Sequence, residues 1–385
     1  MIYEIKKMFL RKEVWIVLCI SLIAIVILNC RDQWASFRKA SIARQKLAAY
    51  SSISLDEAYS ALEQEIKQLG SSASSPTSSK YDAWKVLDEM KSGVKMHQEQ
   101  EQKMQSLIIR MYQDLDQAEN DFERRDLTQA IQMYNRKINY PICTADSLNA
   151  AVLNLNYNQS IHYLYLLILC TLSAPLFTVE SETGMLQVLY PSKKGKKGLF
   201  YKKQLSGAFC SAFIAFIYTS TTLIITWMKY GLSIRLILAP IQSTVEYRNC
   251  PFTMSVLTYV LLVMMMRTLI GILLTAVTSL ISCFVKKTMI VFSADAIIFA
   301  ALILISELFS YKPTVQLIIK KLGLIRLQVL SDYLTQYETI NVCGLPVMQI
   351  WLSVACTVCI SFLILTLAFG IYTRSNSRSD KQVKS

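Results

Sequence analysis

Six long apolar stretches limit what this chain can fold into more than any other feature of its sequence. Each contains between 17 and 29 mostly apolar residues, and a helix needs about 20 of them to cross a bilayer. Backbone groups inside a bilayer must be paired internally, and an α-helix pairs them within one segment. The sequence therefore predicts an all-α membrane protein with six transmembrane helices. The stretches cover residues 14–30, 160–179, 205–228, 254–282, 289–309 and 348–372.

The composition excludes several other classes of protein. Of the 385 residues, 53% are hydrophobic and 17% are charged, whereas a soluble domain carries about 25% charged residues. Disordered proteins, secreted disulfide scaffolds and ordinary soluble enzymes are therefore excluded. The two histidines offer little material for a His-based metal or general-base site. Most of the ten cysteines lie inside apolar stretches, where a thiol behaves as a small hydrophobe.

The placement of Lys and Arg residues predicts the orientation of the spans. Sixteen of them lie at the N-terminus, between spans two and three, between spans four and five, and after span six. Seven lie in the two short loops on the other side. Because positive charge accumulates in cytoplasmic loops, both termini are predicted to be cytoplasmic. The net charge of +13 is then a signal of topology, and we expect no nucleic acid partner.

This topology divides the chain into five parts. A cytoplasmic interfacial helix at 1–13 leads into transmembrane helix 1 at 14–30, which we interpret as a retained span because no small-residue cleavage site follows it. An extracellular helical domain is predicted at 31–158. Transmembrane helices 2–6 occupy 159–373, and a cytoplasmic basic tail covers 374–385.

The predicted extracellular domain begins with a clear helix signature. Ser54 and Glu57 fit a capping box, in which each side chain accepts a hydrogen bond from the other residue's backbone amide. An apolar stripe follows at helical spacing, and Gly70 suits the end of that helix.

Two more helices are predicted further along this domain. After a flexible connector at 71–79, a second helix runs from about 80 to 122, and a third follows Asp126 and stops at Pro141. Two interpretations of the domain stay open. It is either a helical bundle that packs on itself, or a domain that gates or recognises an exported molecule.

The loop between the second and third spans carries the most informative pattern. An acidic pair ends one span, a short apolar turn follows, and a basic stretch leads into the next span. This order resembles the membrane subunits of type-2 class ABC exporters, although composition alone also fits a plain positive-inside loop. The matching residues are Glu180, Glu182, Gly184, Met185, Leu189, Ser192, Gly195 and Lys203, while Lys196 stands where many relatives carry Arg.

Three other segments are similar to the same family. Residues 1–12 look like its interfacial helix, residues 254–288 like its fourth span with Arg267 and Gly271, and residues 344–374 like its last helix. The resemblance covers the membrane part of the chain and does not extend to the 31–158 domain.

The resemblance implies a permease subunit that is not itself an enzyme. In that family a short coupling helix between spans two and three docks in a cleft of an ATPase subunit. Here that loop is 180–203, and the residues implied to couple ATP hydrolysis to transport are Glu180, Glu182, Gly184, Met185, Leu186 and Leu189. The sequence contains no G-x-x-x-x-G-K-[ST] phosphate loop. ATP and Mg²⁺ are therefore expected on the partner, and no cofactor or metal is expected in this chain.

The resemblance also implies partners and a location. Two copies of an ABC ATPase subunit and a second permease subunit, identical or different, would assemble with this chain in the lipid bilayer of a bacterial cell membrane. The exported substrate would be hydrophobic or amphipathic, with an antimicrobial or bacteriocin-like peptide as the first expectation and a drug or lipid as the second.

Three ionisable residues lie inside predicted spans. Arg267 is near the middle of span four, and Asp295 and Glu307 lie on span five. A charge inside a bilayer is costly unless it is paired or hydrated, so these residues are candidates for a function. Depth along the helices favours Glu307 over Asp295 as the partner of Arg267. A structural ion pair and a role in the substrate path are both retained as interpretations.

A second hypothesis comes from another functional class. The chain would then be a membrane sensor or scaffold, whose outer helical domain detects a ligand and signals through a partner. No constellation of residues supports a membrane-embedded enzyme. Cys250 and Cys343 both precede spans, which allows a disulfide between them but does not require one.

Overall fold

The fold is described from a computed structural model. Its described residues are 12–30, 55–70, 79–135, 159–185, 195–230, 237–244, 247, 249–308, 327–335 and 337–382. The predicted interfacial helix and the Ser54 cap therefore lie mainly outside these residues.

Most of the described residues lie in helices. The helices are α1 (Lys12–Cys30), α2 (Leu55–Gly70), α3 (Ser79–Gln117), α4 (Asp121–Asn135), α5 (Gln159–Glu182), α6 (Gly195–Tyr230), α7 (Val256–Phe284), α8 (Thr288–Leu308), α9 (Ser331–Leu334) and α10 (Gln349–Gln382). A 3₁₀ turn, Ile241–Ser243, lies between α6 and α7.

Five of these helices are long and apolar enough to cross a membrane, namely α5, α6, α7, α8 and α10. The prediction of a helical, multi-span chain is confirmed at that level. In α1 the apolar part is Val14–Ile27, which is shorter than a typical span. The sixth span therefore stays a prediction. At the other end of the chain α10 continues as helix to Gln382, beyond the predicted end of its apolar stretch at 372.

Helix α7 lies at the centre of the apolar part of the fold. It packs against α5, α6, α8 and α10, and α1 packs on α5 and α6. Most of α5 is buried, whereas α8 and α10 expose most of their apolar surface, including Ile297, Trp351 and Phe362. Apolar surface of this kind suits a lipid environment better than water.

Helices α6 and α7 approach each other closely at two glycines. A Cβ atom on Gly271 would lie 2.5 Å from the Cβ of Ser211 and 2.9 Å from the phenol oxygen of Tyr165. A Cβ atom on Gly207 would lie 2.9 Å from Cγ2 of Thr275. Small residues at a helix crossing let the two backbones pack tightly, as is common between helices in membranes.

The polar helices α2, α3 and α4 pack in sequence, α2 on α3 and α3 on α4. Helix α2 ends at Gly70, as predicted. The predicted second helix is too long, because α3 ends at Gln117 and α4 already begins at Asp121. The backbone amide of Arg124 donates to the carbonyl of Asn120 (3.1 Å), which starts the new helix.

A β-hairpin that the sequence analysis did not predict connects α9 to α10. Its strands are β1 (Thr339–Val342) and β2 (Leu345–Met348), antiparallel, with Val342 opposite Leu345 at the turn. The turn residues Cys343 and Gly344 have φ values of +53° and +84°. Two positive φ values in succession are typical of the tight turn that matches strand twist.

The hairpin region contacts α4 through one carboxylate. The hydroxyls of Thr339 and Tyr337 donate to Oδ1 of Asp126, at 2.6 Å and 3.0 Å. The ring of Tyr337 also meets Tyr134 edge-on, with ring centroids 6.5 Å apart. We call Asp126, Tyr134, Tyr337 and Thr339 the Asp126 cluster.

Candidate functional site

The acidic pair at the end of α5 is held by two neighbouring helices. Oε2 of Glu180 lies 2.5 Å from Nζ of Lys203 on α6, and both side chains are more than 95% buried. A buried ion pair of this geometry offsets the desolvation of both charges only as long as both partners are present. Glu180 therefore fixes the end of α5 against the start of α6.

Glu182 binds the N-terminus of α8. Its Oε1 accepts a hydrogen bond from the backbone amide of Thr288 (2.6 Å), and its Oε2 accepts one from the Thr288 hydroxyl (2.9 Å). The hydroxyls of Thr288 and Thr178 also lie 2.6 Å apart. A carboxylate at this position satisfies a backbone donor that the helix cannot pair and interacts favourably with the helix dipole.

These contacts join three helices at one place. We call Thr178, Glu180, Glu182, Lys203 and Thr288 the α5-end cluster. It links α5 to α6 through an ion pair and α5 to α8 through a helix cap. The sequence analysis selected both glutamates, and the structure supplies the partner of each.

The chain turns immediately after this cluster. The amide of Thr183 donates to the carbonyl of Val179 (2.9 Å), and Gly184 has a φ of +71°. A left-handed residue at this position is a common way to end a helix, and glycine adopts it without steric cost. Met185 follows with about half of its side chain exposed. Leu186 and Leu189 lie outside the described residues.

An aromatic contact joins the first turns of α6 to the end of the apolar part of α10. The ring of Phe200 lies 5.5 Å from that of Phe369 and 5.4 Å from that of Tyr372, centroid to centroid. Tyr201 lies 5.5 Å from Phe369. We call these four residues the α6–α10 aromatic cluster, and it stands one helical turn from Lys203.

Arg267 lies fully buried in α7, surrounded by hydroxyl and phenol groups. Its Nη1 donates to the hydroxyl of Thr219 on α6 (2.8 Å). Its backbone carbonyl accepts a hydrogen bond from the phenol of Tyr165 on α5 (2.7 Å), and Tyr218 and Tyr259 are close electrostatic neighbours. Polar groups of this kind can stabilise a charge away from water. Arg267 thus ties α7 to α5 and α6.

The structure does not bring Arg267 and Asp295 together. Oδ2 of Asp295 accepts a hydrogen bond from the hydroxyl of Thr278 (2.7 Å). Thr278 lies 11 residues after Arg267 on the same helix, which places it about 16 Å further along the axis. The side chain of Glu307 lies outside the described residues, so the Arg267–Glu307 pair stays a prediction.

Hydroxyl groups form a network that the sequence pattern did not single out. The Thr278 hydroxyl lies between Asp295 and the hydroxyl of Ser173 on α5 (3.1 Å). The sequence feature that could have indicated this network is the presence of Ser and Thr residues inside apolar stretches. That feature is not specific, because such residues can also bond to a carbonyl of their own helix. Thr222 does so here, donating to the carbonyl of Tyr218 (3.0 Å).

The eight cysteines whose side chains the structure describes form no disulfide. Cys343 is an exposed free thiol, and no disulfide joins it to the buried Cys250. Cys356 and Cys359 share a C-x-x-C spacing on α10 and are also free. The residues that the structure describes contain no group of three or more His, Cys, Asp or Glu side chains able to hold a metal ion.

Comparison with known proteins adds no relative. No known protein family, no curated protein and no solved structure matches this chain.

Proposed function

We propose that this chain is the permease subunit of an ATP-driven ABC exporter in a bacterial cell membrane. It would move a hydrophobic or amphipathic substrate, with an antimicrobial or bacteriocin-like peptide as the first expectation. The partners would be two ABC ATPase subunits, which bind ATP and Mg²⁺, and a second permease subunit. The proposal rests on the order of residues in the 180–203 loop and on the contacts of that loop's ends.

One observation supports this function above the others: the α5-end cluster joins three helices next to an exposed turn. A partner that pushes on Met185 and the residues after it would act on α5 directly. It would also act on α6 through the Glu180–Lys203 ion pair and on α8 through the Glu182 cap. This is the connection that a subunit needs if ATPase closure is to rearrange several spans at once.

The proposed topology has six spans with both termini in the cytoplasm, α1 being the first span. The basic residues near the start of α6 and between α7 and α8 then face the cytoplasm, as the positive-inside rule requires. Helices α2, α3 and α4 and the hairpin lie on the opposite, extracellular side in this arrangement. The exposed apolar surfaces of α8 and α10 would face lipid or the second permease subunit.

A second candidate function is a sensor or scaffold. The observation that favours it is the Asp126 cluster, through which the polar helices contact the segment that leads into α10. A ligand bound to α2–α4 could act on a span through that contact. The two functions differ in the partner they require, which is an ATPase for the exporter and a signalling protein for the sensor.

The proposal is tested by purifying the full chain from its native membrane in mild detergent and identifying the co-purifying proteins by mass spectrometry. The exporter function predicts an ATPase with a Walker phosphate loop, at about one copy per permease. Met185→Asp, which places a charge on the exposed turn, should remove the ATPase from the purified complex.

The matched control is Met228→Asp, which places the same charge on another exposed methionine, near the end of α6 and about 37 Å along that helix from Lys203. It should leave the ATPase bound. If a kinase or another signalling protein co-purifies and no ATPase does, the sensor replaces the exporter as the proposed function.

A further inference from the structure

The polar helices and the α5-end cluster belong to distant parts of the fold, yet a continuous series of contacts connects them. The first contact is the Asp126 cluster, where one carboxylate on α4 accepts hydrogen bonds from Tyr337 and Thr339. Tyr337 also packs with Met104, Ile108 and Tyr134 in a small hydrophobic cluster shared by α3 and α4. Movement of α4 therefore acts on the hairpin segment.

The second contact connects the hairpin to α10. Strand β2 ends at Met348, α10 begins at Gln349, and the amide of Gln349 donates to the carbonyl of Glu338 (3.0 Å). Met348 and Ile350 are buried in the main core. The hairpin and the first turn of α10 are thus held together by a hydrogen bond, the covalent chain and core packing.

The third part of the connection is α10 itself. From Gln349 to Phe369 it spans about 30 Å without interruption. It packs along α7, and its hydroxyl residues Ser353, Thr357 and Ser361 are buried. Rigid secondary elements such as a continuous helix are among the structures that carry coupling between distant sites.

The fourth contact lies at the end of the apolar part of α10, which covers Gln349–Thr373. Phe369 and Tyr372 pack on Phe200 and Tyr201, at the start of α6. Lys203, which pairs with Glu180, follows two residues after Tyr201. The position of α10 therefore bears directly on the α5-end cluster.

We propose that α10 couples the position of the polar helices α2–α4 to the packing of the α5-end cluster. The coupling is a property of the fold and holds whether or not the chain is a transporter. The coupling gives α2–α4 a regulatory role. A ligand that binds or displaces these helices changes the local stability of residues 196–206, at the beginning of α6. Coupling between distant sites can be carried by chains of packed side chains, hydrogen bonds and rigid secondary elements, and the three contacts together with α10 form such a chain.

The test is hydrogen exchange of the full chain in lipid nanodiscs, read by mass spectrometry. Asp126→Ala removes the acceptor of two hydrogen bonds. We expect exchange of the 339–348 amides to become about tenfold faster, since hydrogen bonds to a charged group are among the stronger ones. Exchange at 196–206 should also become about twofold faster, by transmission through the packed contacts. Asp116→Ala, an exposed aspartate on α3, is the matched control and should change neither segment.

Two further variants locate the coupling. Thr339→Val removes one hydrogen-bond donor with almost no change in side-chain shape. It should accelerate exchange in the same two segments by a smaller factor, and it replaces Asp126→Ala as the test if that variant does not fold. Phe369→Ala breaks the far contact, so that adding Asp126→Ala to it should no longer affect 196–206. The proposal is overturned if 339–348 responds to the loss of Asp126 while 196–206 does not, or if neither segment responds.

Discussion

Lys203 and Arg267 are both buried cations, but their surroundings differ. Lys203 faces the carboxylate of Glu180 at 2.5 Å. Arg267 donates to the neutral hydroxyl of Thr219 and lies among phenols. An ion pair gives a strong, short-range attraction that disappears with either partner, whereas several neutral dipoles share the stabilisation of a charge between them. We therefore expect the loss of one partner to cost more stability at the Glu180–Lys203 ion pair than at the Arg267–Thr219 hydrogen bond.

The largest effect is expected for Lys203→Met. The change leaves the Glu180 carboxylate buried without its cation, which should lower the free energy of unfolding by about 3–5 kcal/mol. Thermal unfolding of the full chain in detergent measures it. The double variant Glu180→Gln with Lys203→Met should recover most of the loss, because no unpaired charge is left. A double variant as unstable as the single one would contradict the importance of the ion pair.

A smaller effect is expected for Gly271→Ala, which tests the packing around Arg267. The new methyl group would overlap Ser211 and press on the phenol of Tyr165, which bonds to the Arg267 carbonyl. The loss should approach about 3 kcal/mol, the upper range for an overpacked core. Gly370→Ala is the matched control on α10, where nothing lies within 4 Å of the new atom. That change should be neutral or stabilising, and an equal loss at both glycines would refute the close helix crossing.

Thr219→Val removes one dipole from Arg267 and keeps the side-chain shape. We expect a loss of about 1.5 kcal/mol, near the lower limit for a hydrogen bond with a charged donor, because the neighbouring phenols still act on the guanidinium. The same thermal unfolding assay measures it. A loss as large as that of Lys203→Met would show that the Arg267–Thr219 hydrogen bond and the Glu180–Lys203 ion pair do not differ in strength as described.

The smallest expected effect is a loss of stability at alkaline pH, caused by Tyr134 in the Asp126 cluster. Burial raises the pKa of Tyr134 to about 12, above the value near 10 of an exposed phenol. The folded state thus favours the neutral phenol, and its contribution to stability is complete below about pH 10 and is lost as the pH rises towards 12. Tyr134→Phe should reduce the fall in unfolding temperature between pH 9 and pH 11. An unchanged fall would mean that Tyr134 does not titrate in this way.

Most helix ends of the apolar part could be predicted from the sequence within three residues, although α6 begins ten residues before its predicted stretch and α10 ends ten residues after its own. The stretch 254–282 corresponds to Val256–Phe284, and 160–179 to Gln159–Glu182. Long apolar runs leave little choice, because their backbone groups need internal partners. The extra turn at the end of α5 has a local cause as well, since Glu180 and Glu182 find their own partners and extend the helix past its apolar part.

The polar part was harder to predict, because its boundaries depend on weaker signals. The break between α3 and α4 contains neither Gly nor Pro, and Asn120 was its main indication. The hairpin before α10 depends on Cys343 and Gly344, a turn pair less distinctive than Asn-Gly. The carboxyl end of that turn is fixed by the Asn341 side chain, which accepts a hydrogen bond from the Gly344 amide (2.8 Å).

In the candidate site too, some features could be predicted from the sequence and others could not. Glu180 and Glu182 could be selected from the order of residues in one loop, but their partners lie on other helices and depend on packing that the sequence does not specify. Asp295 could be recognised as unusual, yet its bond to Thr278 follows from how α7 and α8 pack. The sequence thus identified charged residues in or beside apolar stretches as candidates, and the three-dimensional contacts identified their partners.

Photo-crosslinking from the turn after α5 tests the central claim most directly. Met185 is replaced by p-benzoylphenylalanine in the full chain, and the native membrane is irradiated and analysed by mass spectrometry. The same replacement of Leu345, exposed at the turn of the hairpin, serves as the control. If this turn is the docking point of an ATPase, position 185 forms an adduct with a Walker-loop ATPase and position 345 does not. Adducts of position 185 with lipid alone, or ATPase adducts from both positions, would contradict the proposed docking site.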